Sequence, residues 1–125
     1  MRFRWWRLLP AILWAGALFF QSSQTTLPSS FFLFKGSDKV LHVIAYAILA
    51  VFVYIGLPKF CSYPTIIAFS FSAIYAISDE IHQAFVPGRT CDIYDWLADI
   101  IGALIGIAFF IKLKRMTKNK IQNTK

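Results

Sequence analysis

Apolar residues fall in four long stretches, residues 5–20, 39–57, 65–83 and 95–112, and polar residues collect in the gaps between them. At 1.5 Å of helical rise per residue each stretch reaches about 24–29 Å, close to the ~30 Å hydrocarbon core of a bilayer. The pattern predicts an all-α fold: an integral membrane four-helix bundle made of one domain, residues 1–125, with a basic tail over residues 113–125 that frays into solvent. The gaps are rich in turn chemistry. Residues 21–37 combine Ser, Thr and Gln with Pro28 and an aromatic patch at Phe31, Phe32 and Phe34, suited to interfacial anchoring. Gly56, Pro58, Ser62 and Pro64 mark a short second turn, and Pro87-Gly88-Arg89 marks a third. The first stretch has a competing reading as a secretory signal, because Ala15-Gly16-Ala17 resembles a cleavage site. The apolar run continues through Leu18, Phe19 and Phe20, which favours a retained helix.

Composition agrees with the pattern. A 125-residue chain that is 58 % hydrophobic and 15 % charged is too apolar for a water-soluble domain of its size. The net charge of +7 does not point to nucleic acid, because the basic residues sit at the two ends beside apolar segments and lack the interleaved pattern of a binding face. They orient the chain instead. Arg2, Arg4, Arg7, Lys59 and the six basic residues from Lys112 onward fall on one side of a four-span topology, against Lys35, Lys39 and Arg89 on the other. By the positive-inside rule both termini are cytoplasmic. The protein is then a multi-pass component of a cytoplasmic membrane, and Cys61 and Cys91 lie on opposite sides of it with no disulfide between them.

The same topology sends all six carboxylates to the outer half, where residues 78–99 hold Asp79, Glu80, Asp92, Asp95 and Asp99. Asp38, Lys39 and His42, at the top of the second helix, face the same compartment. Asp38, His42 and Tyr46 follow i, i+4, i+8 spacing, and Asp79 shares a helical face with Gln83. Asp92, Asp95 and Asp99 form one stripe that continues through Gly102 and Gly106, where backbones can approach closely. A carboxylate in hydrocarbon costs roughly 2.5 kcal/mol or more, so these groups need partners, protons or a wet cavity. Three uses are open. The cluster can bind a ligand through Asp38, Lys39, Asp79, Gln83, Arg89 and Asp95. It can run acid–base chemistry through Glu80 or His42, with Arg89 and Lys39 holding a phosphate and a divalent metal on Asp92, Asp95 and Asp99. Or it can lock the helices together by salt bridges, with no ligand. Asp92 alone reads equally well as a helix N-cap. No P-loop, Gly-x-Ser-x-Gly or His-Glu-x-x-His pattern selects a reaction.

The succession Asp38-Lys39-x-x-His42-x-x-x-Tyr46, Asp79-Glu80-x-x-Gln83-x-Phe85-x-Pro87-Gly88-Arg89 and Asp95-x-x-Ala98-Asp99-x-x-Gly102 resembles the VanZ-like family over roughly residues 38–106. The resemblance implies a small multispan protein of the bacterial cell envelope. It links the chain to glycopeptide resistance of the teicoplanin type, or to handling of a lipid-linked or cell-wall precursor, with membrane lipids and such a precursor as partners. The alternatives are an intramembrane enzyme acting on a phosphorylated lipid or glycolipid, and a ligand-free structural cluster. One departure stands out: the family pattern carries Asn where this chain has Asp99, a carboxyl in place of a neutral amide. The topology predicts that a membrane-impermeant maleimide added to intact cells labels Cys91 and spares Cys61. The reverse labelling would place the acidic cluster on the cytoplasmic side.

Overall fold

The computed structural model describes residues 4–25, 34 and 36–124. Pro28, Lys35 and the aromatics Phe31 and Phe32 lie outside the described residues. Four α-helices follow a short 3-10 helix at Trp5–Leu8: α1 Leu9–Ser22, α2 Ser37–Gly56, α3 Pro64–Ala84 and α4 Ile93–Asn123, and no strand occurs among the described residues. The helix boundaries follow local chemistry. Pro10 and Pro64 stand in the first turns of α1 and α3, where the missing N–H costs no intrahelical bond. Gly36 precedes α2 with φ +92°, a left-handed conformation that disfavours other residues. Leu57, held extended before Pro58, ends α2.

Two lengths differ from the sequence expectation. The first apolar stretch opens with the 3-10 turn, so only residues 9–22 are α-helical. The basic tail, expected to fray beyond residue 112, continues α4 to Asn123. Nothing in Lys-Leu-Lys-Arg-Met-Thr-Lys-Asn-Lys breaks a helix, and Lys, Arg and Met rank among good helix formers. At 1.5 Å per residue, α4 is about 46 Å long, well beyond one hydrocarbon thickness.

α2 is the central element, and its most extensive contact is with α4. Gly102 and Gly106 set that contact. A Cβ at Gly106 would lie 2.5 Å from the Ala47 carbonyl oxygen, and one at Gly102 would collide with the Val43 carbonyl. The offset between the partners is the same at both glycines, since 102 − 43 and 106 − 47 both equal 59. The two helices therefore run parallel in a single register. Extended upward, that register brings Asp95 and Asp99 level with the first turn of α2. α1 and α3 run the other way. Arg7 Nη2 donates to the Ile55 carbonyl at the far end of α2 (2.6 Å), whereas Ser23, just past α1, meets His82 near the end of α3. Trp14 Nε1 donates to Ala45 O (2.9 Å) and Tyr75 OH to Ala15 O (2.6 Å), tying α1 to α2 and α3.

The interior combines small and apolar residues, Ala50, Ala68, Ala76, Ala103, Leu49 and Ile107, with the polar Ser72, Asp79, Glu80, Gln83 and Asp99. The outer surface is largely aliphatic and aromatic: Leu13 and Phe20 on α1, Ile44 on α2, Ile66 and Ile74 on α3, Leu104 and Phe109 on α4. Among the described residues, α2 and α4 are the two helices long and apolar enough to cross a membrane by the ordinary criteria of length and hydropathy. The glycine register makes a paired prediction. Gly106→Ala should lower stability by about 1–3 kcal/mol through forced separation of α2 and α4. Gly16→Ala, with nothing within 4 Å of the added carbon, should be neutral or raise stability by up to about 1 kcal/mol. Unfolding of the purified protein in mixed detergent micelles checks both.

Candidate functional site

The α3–α4 connection is built to return the chain sharply. Arg89 N–H donates to Val86 O (3.1 Å), and Gly88, two residues after Val86, has φ +82°. Pro at the second position and a left-handed Gly at the third are the requirements of a type II turn. The turn leaves Arg89 beside the top of α3, where its Nη2 donates to Gln83 Oε1 (2.9 Å). Asp92 then caps α4: its carboxylate accepts from Tyr94 N–H (2.9 Å), and its own N–H donates to Glu80 Oε2 (3.0 Å). The N-cap reading of Asp92 and its reading as a cluster member are therefore both satisfied by one side chain.

The charged residues form two tiers. In the upper tier Lys39 Nζ contacts three carboxylates, Asp38 at 3.1 Å, Asp92 at 2.8 Å and Asp95. An ammonium has three N–H groups, so all of its donors are taken. Lys39, expected from the sequence to bind a ligand, here faces three carboxylates of the protein itself. Hydrogen bonding to Lys39 holds the Asp92 carboxyl below the usual carboxylate range. In the lower tier His42 Nδ1 lies 2.8 Å from Asp99 Oδ1, and His42 Nε2 lies 3.7 Å from Asp95 Oδ2. Beside them Gln83 Nε2 donates to Asp79 Oδ2 at 3.4 Å, and the buried Tyr46 hydroxyl stands 3.5 Å from the same oxygen. Asp95 belongs to both tiers and joins them.

The stripe Asp92, Asp95 and Asp99 does not converge on one point. Asp92 and Asp95 turn to Lys39, whereas Asp99 is enclosed with His42 and Glu80, whose ligand atoms all lie within 4.8 Å of one another. A metal on the three aspartates would have to displace Lys39. A cavity of about 260 Å³ opens beside the cluster, lined by Thr25, Asp38, His42, Gln83, Gly88, Arg89, Thr90 and Asp95. Thr25 and Thr90 were absent from the sequence reading. Thr90 adjoins Arg89 and could have been included on that ground, but nothing local in the chain connects Thr25 to α3. His82 packs on the Phe19 ring and lies 3.0 Å from Ser23 Oγ, outside the cluster. Cys61 and Cys91 are both free and occupy opposite ends of the bundle. Desolvation, and then the neighbouring Glu80 carboxylate, pushes the Cys91 thiol above its ordinary pKa.

A family model described as VanZ/LLP1 matches residues 3–115, most of the chain and every residue of the cluster. No curated protein and no solved structure matches the chain.

The Asp92–Lys39 contact has a pH signature. A carboxyl whose pKa is lowered on folding contributes stability above its unfolded value, near 3.8, and loses it as pH falls through the lower folded value. Asn caps a helix as well as Asp does, so Asp92→Asn removes the charge pairing and keeps the cap. The wild-type protein should lose its stability advantage over Asp92→Asn as pH drops below about 4, read as converging unfolding midpoints.

Proposed function

The chain belongs to the VanZ/LLP1 family, and from that premise we propose that it is a bacterial envelope protein. In this reading it crosses the cytoplasmic membrane with all four helices, keeps both termini inside, and receives the polar headgroup of a lipid-linked or cell-wall precursor at its outer face. The apolar outer surface of all four helices supports lipid burial, since a water-soluble bundle would expose an aliphatic belt at large cost. The excess of Lys and Arg at the opposite end of the bundle supports the orientation.

The observation that carries the binding role is the cavity. Its volume of about 260 Å³ lies just below that of drug-sized sites, which suits a headgroup whose acyl or prenyl part remains in the bilayer. Its walls offer one guanidinium, two carboxylates, an imidazole, an amide and two hydroxyls. That set suits a headgroup bearing hydroxyls together with an anionic group. Arg89 is the anion-binding member, because one of its five donors is used on Gln83 and Lys39 is fully engaged. Lys39 with Asp38, Asp92 and Asp95 then acts as the scaffold that the salt-bridge reading anticipates, limited to the upper tier. A link to teicoplanin-type resistance follows in this reading from precursor handling that alters exposure of the drug's target.

A second reading, acid–base chemistry on a phosphorylated lipid, is favoured by the His42–Asp99 contact at 2.8 Å with Glu80 adjacent. One experiment addresses both. The protein is reconstituted in nanodiscs with EDTA and challenged with lipid-linked precursors and with headgroup-free prenols, and bound lipid and released phosphate are measured. Selective retention of headgroup-bearing lipid without phosphate release supports binding, whereas release abolished in His42→Gln supports catalysis. Arg89→Ala should weaken retention about 10–100-fold, the worth of a charged hydrogen bond. Arg89→Lys should recover only part, because the planar fork is lost. Equal retention of prenols and precursors would overturn the headgroup reading.

A further inference from the structure

Below the Lys39 tier lie three buried carboxylates, and two of them, Glu80 and Asp99, meet the imidazole of His42. Asp79, Glu80 and Asp99 are buried, Glu80 at 4 % and Asp99 at 0 % exposure. Each keeps one carboxylate oxygen with no hydrogen-bond partner: Asp79 Oδ1, Glu80 Oε1 and Asp99 Oδ2. Buried polar atoms are almost always satisfied, and buried carboxylates most of all, because leaving one unpaired forfeits its hydration with nothing in return. Lys39 is committed to the upper tier, and the basic group that faces Asp99 and Glu80 is His42.

We propose that His42, Glu80 and Asp99 form a divalent-cation site. They come from three different helices, yet each presents a ligand atom within 4.8 Å of the others. Donors bound to one ion at ~2.0–2.2 Å stand about 3–4 Å apart, so contraction by at most about 1–2 Å closes the set. The 2.8 Å between His42 Nδ1 and Asp99 Oδ1 is already of that order. One imidazole nitrogen with two carboxylates suits Mn²⁺ or Zn²⁺ better than Ca²⁺, which prefers an all-oxygen shell.

The upper tier supplies the support such a site needs. With Nδ1 turned to the ion, His42 Nε2 faces Asp95 Oδ2 at 3.7 Å, and Asp95 is itself held by Lys39. A carboxylate behind a ligating histidine fixes its tautomer and its ring orientation. The cation would neutralise the two carboxylates beside the cavity, where His42 contributes to the wall. The site is independent of the headgroup reading, since its residues and their unpaired oxygens are present without any lipid.

The test uses the full-length protein, purified in an uncharged detergent, stripped with EDTA and titrated with MnCl₂ while free Mn²⁺ is followed by electron paramagnetic resonance. One Mn²⁺ per chain is expected, displaced by Zn²⁺. Asp99→Asn and Glu80→Gln should each weaken binding about tenfold or more, since even partners behind the ligands have effects of that size. His82→Gln, at the histidine outside the cluster, should leave it unchanged. Bound Mn²⁺ in the wild type should show ¹⁴N modulation in pulsed spectra, and His42→Gln should lose it. Circular dichroism of each variant reports folding, and if either carboxylate variant is not helical the ¹⁴N signal decides. Absence of stoichiometric Mn²⁺ and Zn²⁺ binding, binding indifferent to the carboxylate variants, or a nitrogen signal that survives in His42→Gln would each overturn the site.

Discussion

The close approach of α2 and α4 is the constraint from which the rest of the architecture follows. Gly102 and Gly106 let the α4 backbone rest on the carbonyls of Val43 and Ala47, and no residue with a Cβ can take either place without pushing the helices apart. Because both contacts share one offset, they fix rotation and translation together. Asp95 and Asp99 then have to meet the first turns of α2. With small residues at the contact, dispersion between closely packed backbones, rather than bulky side chains, holds the pair.

That approach also explains why the polar residues divide as they do. Lys39 is long enough to reach out over the end of α4 and gathers Asp92 and Asp95 with Asp38. His42, one turn deeper and shorter, reaches Asp99. The upper group, three carboxylates around one ammonium, is partly exposed, so it contributes position more than energy. The lower group is more deeply buried and carries more acid than base. A cavity wall and an ion-paired support therefore coexist in one cluster, and Asp95 connects the support to His42. α3 closes the arrangement by giving Glu80 to the Asp92 N–H, which ties the start of α4 to a second helix.

The number and approximate places of the helices were legible because hydrocarbon-length apolar runs and Pro/Gly breaks are local signals. The extent of α4 was not, since residues 113–123 have no breaker and their helicity depends on propagation from the packed segment. Within the site, the stripe Asp92, Asp95 and Asp99 was legible as a periodicity. Its division between Lys39 and His42 was not, because a stripe says which residues share a face but not the rotation of the helix facing it. Thr25 entered the cavity wall from a distant loop, a placement that no periodicity encodes.

From the sequence alone came the composition of the bundle, the glycine pair that permits close packing, and the concentration of acids beyond the apolar runs, all consequences of chemistry within one segment. The tertiary structure decided which acid meets which base. Registering α2 on α4 and laying α3 across both left Lys39 saturated, Arg89 with donors to spare, and Glu80 and Asp99 each with an unpaired oxygen beside His42. Those outcomes depend on distances between helices, which side-chain size at the contacts sets and which linear spacing does not contain.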